Sequence, residues 1–139
     1  MKRILGFTIP FLIVGAVAFF AVQWFLLRNV QIQVYIPKPS SFITSPLFVI
    51  EGRARGNWFF EASFPVKLLD GNGKLISSGI AQVDPPGENW MTNNFVPFHA
   101  TLLYNGFSNT ESGTLVLKRD NPSGLPQNDD EIRIPVFFR

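Results

Sequence analysis

His99 is the only histidine in a chain that has no cysteine, so the usual supply of general bases, thiol nucleophiles and nitrogen or sulfur metal ligands shrinks to one side chain. A catalytic base needs a nucleophile within reach and an acid to orient it, and no Gly-x-Ser-x-Gly element or similar motif provides them. His99 therefore reads as a histidine on the surface of a strand, and zinc, which asks for more such ligands than one, is not expected. Oxygen ligands are better represented. Asp120-Asn121 and Asn128-Asp129-Asp130-Glu131 carry the hard donors that calcium prefers, but their spacing is not that of an EF-hand loop, and Asx turns in a solvated acidic loop explain the same residues. No two of the 10 acids are paired by spacing as glycoside cleavage would require. The expectation is a protein without catalysis, cofactor or metal.

Recognition chemistry is more evident. Arg53, Arg55, Trp58, Glu61 and Trp90 are of the types that dominate binding hot spots, where arginine and aromatic side chains carry most of the energy. In period two, Glu61 faces away from Phe60 and Ala62, and an antiparallel neighbour would bring Arg53 or Arg55 across from it. On an exposed face such an ion pair contributes little to stability. The tryptophans have two readings: either can fill the core or stand on the surface as a platform for a partner or a sugar. One of Trp58 and Trp90 is expected in the core, and the sequence leaves open which.

The elements that position these residues read as strands. In Trp58-Phe59-Phe60-Glu61-Ala62-Ser63-Phe64-Pro65-Val66-Lys67-Leu68-Leu69-Asp70, the residues Phe60, Ala62, Phe64, Val66 and Leu68 share one face, the signature of a half-buried strand. Asp70-Gly71-Asn72-Gly73 then turns the chain back as a hairpin. Residues 47–55 place Phe48, Ile50, Gly52 and Ala54 on one face, with the small pair making room for the Phe59 and Phe60 region. Further strands are expected over residues 74–83, 94–104, 114–118 and 132–138. Six or seven short strands without helical periodicity imply an all-β, antiparallel β-sandwich.

Residues 4–27 form a nearly unbroken apolar run between Lys2-Arg3 and Arg28. At helical rise it covers about 36 Å, enough to cross a bilayer core of roughly 30 Å. A cleaved signal peptide is the alternative, since Ala16-Val17-Ala18 has the small-x-small form, but the run stays apolar beyond it and a signal anchor fits better. The excess of positive charge at the N-terminus places that end in the cytoplasm and the rest of the chain outside. The domain plan is thus an anchor at 1–30, an extended linker or first strand at 31–42, and a sandwich at 43–139. A net charge of +2 gives no reason to expect nucleic acid.

Ser45-Pro46-Leu47, Gly52-Arg53-Ala54-Arg55-Gly56, residues 58–66, Trp90-Met91-Thr92, Phe95-Val96-Pro97-Phe98, residues 120–126 and Ile134-Pro135-Val136 together resemble the immunoglobulin-like domain of bacterial spore germination proteins, often found beside a GerM-type domain. The resemblance covers residues 43–139. It implies an immunoglobulin-like β-sandwich in an envelope or secreted protein, and it carries no catalytic residues. No GerM-type partner domain and no lipoprotein cysteine accompany it here. The expected function is that of a membrane-anchored extracytoplasmic module that binds another envelope protein. The alternative is peptidoglycan or another glycan, held on Trp58 or Trp90.

Overall fold

The computed structural model describes residues 15–20, 22–23, 30–44, 46–106 and 108–139. Two compact units divide the chain, Met1–Val30 and Gln31–Arg139. In the first, residues 15–20 and 22–23 are helical and exposed. Among the described residues no helix is long and apolar enough to cross a membrane. The expected span at 4–27 falls mostly outside the described residues.

The second unit holds eight strands: β1 (Ile32–Ile36), β2 (Ser41–Ile43), β3 (Leu47–Arg55), β4 (Ser63–Asp70), β5 (Leu75–Val83), β6 (Phe95–Leu103), β7 (Ser112–Lys118) and β8 (Glu131–Phe138). They form one hydrogen-bonded sheet in the order β1-β3-β6-β5-β4-β7-β8-β2. All pairings are antiparallel except β2 with β8, which is parallel and departs from the expected all-antiparallel arrangement. β5 and β6 pair only at Gln82↔His99 and Val83↔Phe98, at the end of β5 and the middle of β6. Beyond that junction the halves are free to curl over each other, which is how a single ladder encloses a core on one side.

Alternation decides which side that is. β3 and β6 each bury every second residue, among them Phe48, Ile50 and Ala54 on β3 and Val96, Phe98, Ala100 and Leu102 on β6. Phe64, Val66 and Leu68 of β4, Leu115 and Leu117 of β7 and Ile134 and Val136 of β8 join them in one cluster. The Phe64 ring meets Phe98 edge-on at 4.9 Å and Phe59 at 5.3 Å, so β4 and β6 touch through their side chains although β5 separates them in the sheet. Burying an aromatic side chain of this kind contributes about 1.5–3 kcal/mol.

Two local expectations need correction. The strand read over 58–70 begins only at Ser63, because Gly56–Trp58 is a short 3-10 turn and Phe60 and Ser63 exchange backbone hydrogen bonds of 2.9 and 3.1 Å around Glu61 and Ala62. Both central residues lie in the left-handed region, with φ of 50° and 61°, so the chain makes a tight turn where alternation had extended it. Phe60 is consequently 42% exposed instead of buried. Gly52 makes room for a different neighbour than expected: a Cβ there would meet the Gln33 carbonyl and the Phe98 ring, so the glycine admits β1 and β6 rather than the Phe59 and Phe60 region. Within residues 31–42, left as linker or first strand, Ile32–Ile36 is a strand of the sheet, with a bulge between Val34 and Ile36. By contrast the 70–74 hairpin forms as expected, with Gly73 at φ 81° and the Asp70 carboxylate accepting from the Asn72 and Lys74 amides.

Candidate binding surface

The same alternation that buries Gly52 and Ala54 sends Arg53 and Arg55 to the outer face of the sheet. Register then supplies their neighbours. Arg53 stands opposite Gln33 on β1 and Pro97 on β6, and Arg55 stands opposite Phe95. Arg53 Nε donates to Gln33 Oε1 at 2.8 Å, and Arg55 Nη1 donates to the Asn93 carbonyl at 2.8 Å. Both guanidinium carbons lie against one ring, Arg53 Cζ at 4.8 Å and Arg55 Cζ at 4.5 Å from the Phe95 centroid. Stacking of this kind fixes a guanidinium's position without consuming its N–H donors. Among the described residues Arg53 has one hydrogen bond and no carboxylate partner, which leaves most of its fork for an acceptor from outside.

The loops behind this face are locked by backbone contacts. Gly56 lies so close to the Trp90 and Thr92 carbonyls that a Cβ would collide with both. Arg119 Nε donates to the Asn57 carbonyl at 2.8 Å, and the Asp120 amide donates to the Trp58 carbonyl at 3.1 Å. The platform under Arg55 is therefore a set of loops tied to one another rather than a free strand end.

The five residues singled out by sequence separate into groups. Arg53 and Arg55 come together. Trp58 is the core tryptophan, 1% exposed and edge-on to Phe64 at 5.8 Å, which removes it as a surface platform. Its Nε1 is buried without a hydrogen-bond partner among the described residues. Trp90 is half-buried against the core in the loop beside Gly56. Glu61 is exposed at its turn and does not face the arginines, since β3 pairs with β1 and β6 while β4 pairs with β5 and β7. Phe95, Gln33 and Asn93 were not anticipated. Phe95 alone carried a signal, as an aromatic side chain at an outward position of β6.

Outside this face, His99 is exposed between Glu51 and Gln82, with Nε2 3.3 Å from Thr101 Oγ1. The 120–131 loop turns its acceptors on its own donors. Asn121 Nδ2 donates to Asp129 Oδ1 at 2.8 Å and to the Leu125 carbonyl at 2.9 Å, and Lys118 Nζ lies 3.6 Å from Asp129 Oδ2. The Asn121 bond, with Lys118 assisting, holds the Asp129 carboxyl below its ordinary value. Among the described residues no group of three or more histidine, cysteine or acidic side chains is placed to hold a metal.

A curled β sheet with an alternating core and loops gathered at its two ends is the architecture of an immunoglobulin-like domain. The family model of the immunoglobulin-like domain of bacterial spore germination matches residues 31–124, and the chain belongs to that family. The match begins at β1, so the family domain includes the segment that sequence alone had left as linker or strand. No curated protein matches the chain.

Proposed function

We propose that the protein is a membrane-anchored extracytoplasmic module that works by non-catalytic binding to an acidic patch on a cell-envelope protein. The observation that carries this reading is the pair Arg53 and Arg55, stacked on Phe95 with donors of Arg53 unspent, on an outer sheet face. Pre-positioned guanidinium groups favour bidentate pairing with carboxylates, and the aromatic ring between them adds an apolar contact of the hot-spot type. The apolar run at 4–27 and the basic residues Lys2 and Arg3 support the anchor and its orientation. The envelope location implied by the family resemblance agrees with both.

Photo-crosslinking in living cells tests the proposal. The reactive residue replaces Pro97, exposed and opposite Arg53, and a control replaces Lys67, exposed on β4. A discrete protein adduct is expected at Pro97 only. It should disappear when Arg53 and Arg55 are both changed to alanine, since losing a hot-spot arginine costs about 2 kcal/mol or more. An adduct that survives loss of both arginines, or none at Pro97, would overturn the reading.

A further inference from the structure

We infer a second binding site, for one hydroxyl-rich sugar unit of a glycan, in the concavity between the β4–β5 hairpin and the β6–β7 connection. β3 runs nine residues from the Arg55 end to the Leu47 end, about 30 Å of strand, and this concavity lies at the Leu47 end, opposite the end at which Gln31 enters the sheet. Its volume is about 280 Å³, and its lining includes Asp70, Lys74, Leu75, Asn105, Ser108 and Asn109. That volume falls just under the roughly 300 Å³ at which pockets for drug-sized ligands begin, so it suits a single ring.

Asp70 is the observation that points to a ligand. It is the one buried charged residue among those described, at 5% exposure. Both of its side-chain hydrogen bonds, from the Asn72 and Lys74 amides, fall on Oδ1. Oδ2 takes no hydrogen bond among the described residues and is not a sealed-off atom, and Asp70 lines the concavity, so a donor entering it has a carboxylate acceptor to meet. The surroundings are held in place. The Gly71 amide donates to Thr110 Oγ1 at 2.8 Å, Thr110 Oγ1 donates to the Ser112 carbonyl at 2.7 Å, and Ser108 Oγ donates to the Thr110 carbonyl at 2.8 Å. Hairpin and connection are thereby bonded to each other before anything binds.

The mixture of groups selects the ligand class. A bare cation is a poor fit beside the Lys74 ammonium, and a bare anion is a poor fit beside Asp70. A sugar ring offers hydroxyl donors to the carboxylate, hydroxyls that donate to and accept from the Asn109 amide, and a C–H face for the 51% exposed Leu75. This site shares nothing with the arginine face, so each stands or falls alone. The extracytoplasmic placement of the proposed function bears only on the source of the sugar, for which the wall glycan is the nearest candidate.

Isothermal titration of the full chain in detergent micelles tests the site, using the disaccharide of N-acetylglucosamine and N-acetylmuramic acid and, in parallel, a glucose oligomer. Binding of the first is expected, weakened about tenfold by Asn109→Ala and by Lys74→Ala and unchanged by Trp90→Ala. Asp70→Asn keeps an acceptor for the hairpin amides while removing the charge, and is expected to lose binding with an unchanged circular dichroism spectrum. Equal binding of the glucose oligomer, with the same response to the variants, would support the site and overturn the wall glycan as its source. Binding of neither sugar, or binding that Asn109→Ala and Lys74→Ala leave intact, would overturn the inference.

Discussion

Arg53 and Arg55 share the Phe95 ring, and Gln33 and the Asn93 carbonyl each take one guanidinium donor. Long side chains that would lose much rotamer freedom on binding are in this way partly ordered beforehand, which lowers the cost of capturing a carboxylate. Glu61 and Ala62 show the opposite economy, since non-glycine residues in the left-handed region cost on the order of 1–2 kcal/mol each and must be held there by their surroundings. The Phe60–Ser63 hydrogen bonds and the Val83 amide, donated to the Ala62 carbonyl at 3.0 Å, do the holding. Asp129 brings a pH dependence of known sign. Its carboxyl is lowered by Asn121 and Lys118, so the stability it adds is present above the ordinary carboxylate pKa of about 4 and is lost as pH falls through the lowered value. In urea unfolding, Asp129→Asn should therefore start with a lower midpoint at neutral pH and converge with the native chain in acid. A gap independent of pH would contradict that role.

At the scale of elements, the most direct check on the fold is a pair of phenylalanines that sequence alone treats alike. Phe64→Ala should destabilise by about 3–5 kcal/mol, because Phe64 is fully buried between Trp58, Phe59 and Phe98. Phe60→Ala should change stability by only about 0.5 kcal/mol, because Phe60 sits exposed at the turn. Equal losses by chemical denaturation would restore a continuous strand over 58–70. The pair also shows where legibility ended. β3, β6 and β8 were readable because one face of each meets the core and the other meets solvent along their whole length. The turn at Glu61-Ala62 was not, because neither residue has turn chemistry and Phe60 and Ala62 happened to continue the alternation. β2 was missed for another reason. It is a three-residue strand whose pairing with β8 joins Phe42 to Phe137, and nothing local announces a partner so distant in sequence. The arginines of the candidate face were likewise legible from alternation, whereas their ring came from the register of β3 on β6, which only the assembled sheet supplies.

At the scale of the whole molecule, the sheet has two ends with different contents. Connections β3–β4, β5–β6 and β7–β8 gather where β1 begins, beside the arginine face, while the β4–β5 and β6–β7 connections form the concavity at the other end. The proposed protein-binding face and the proposed sugar site thus lie at opposite ends of the sheet. The envelope-protein reading and the wall glycan as source of the sugar both depend on the side of the membrane on which Gln31–Arg139 stands. Ser112 is exposed at the start of β7, and the native chain has no cysteine, so Ser112→Cys provides a single thiol that reports that side. In intact cells a membrane-impermeant maleimide should label this variant as completely as it does after lysis. Labelling that appears only after lysis would put the domain in the cytoplasm and contradict the account.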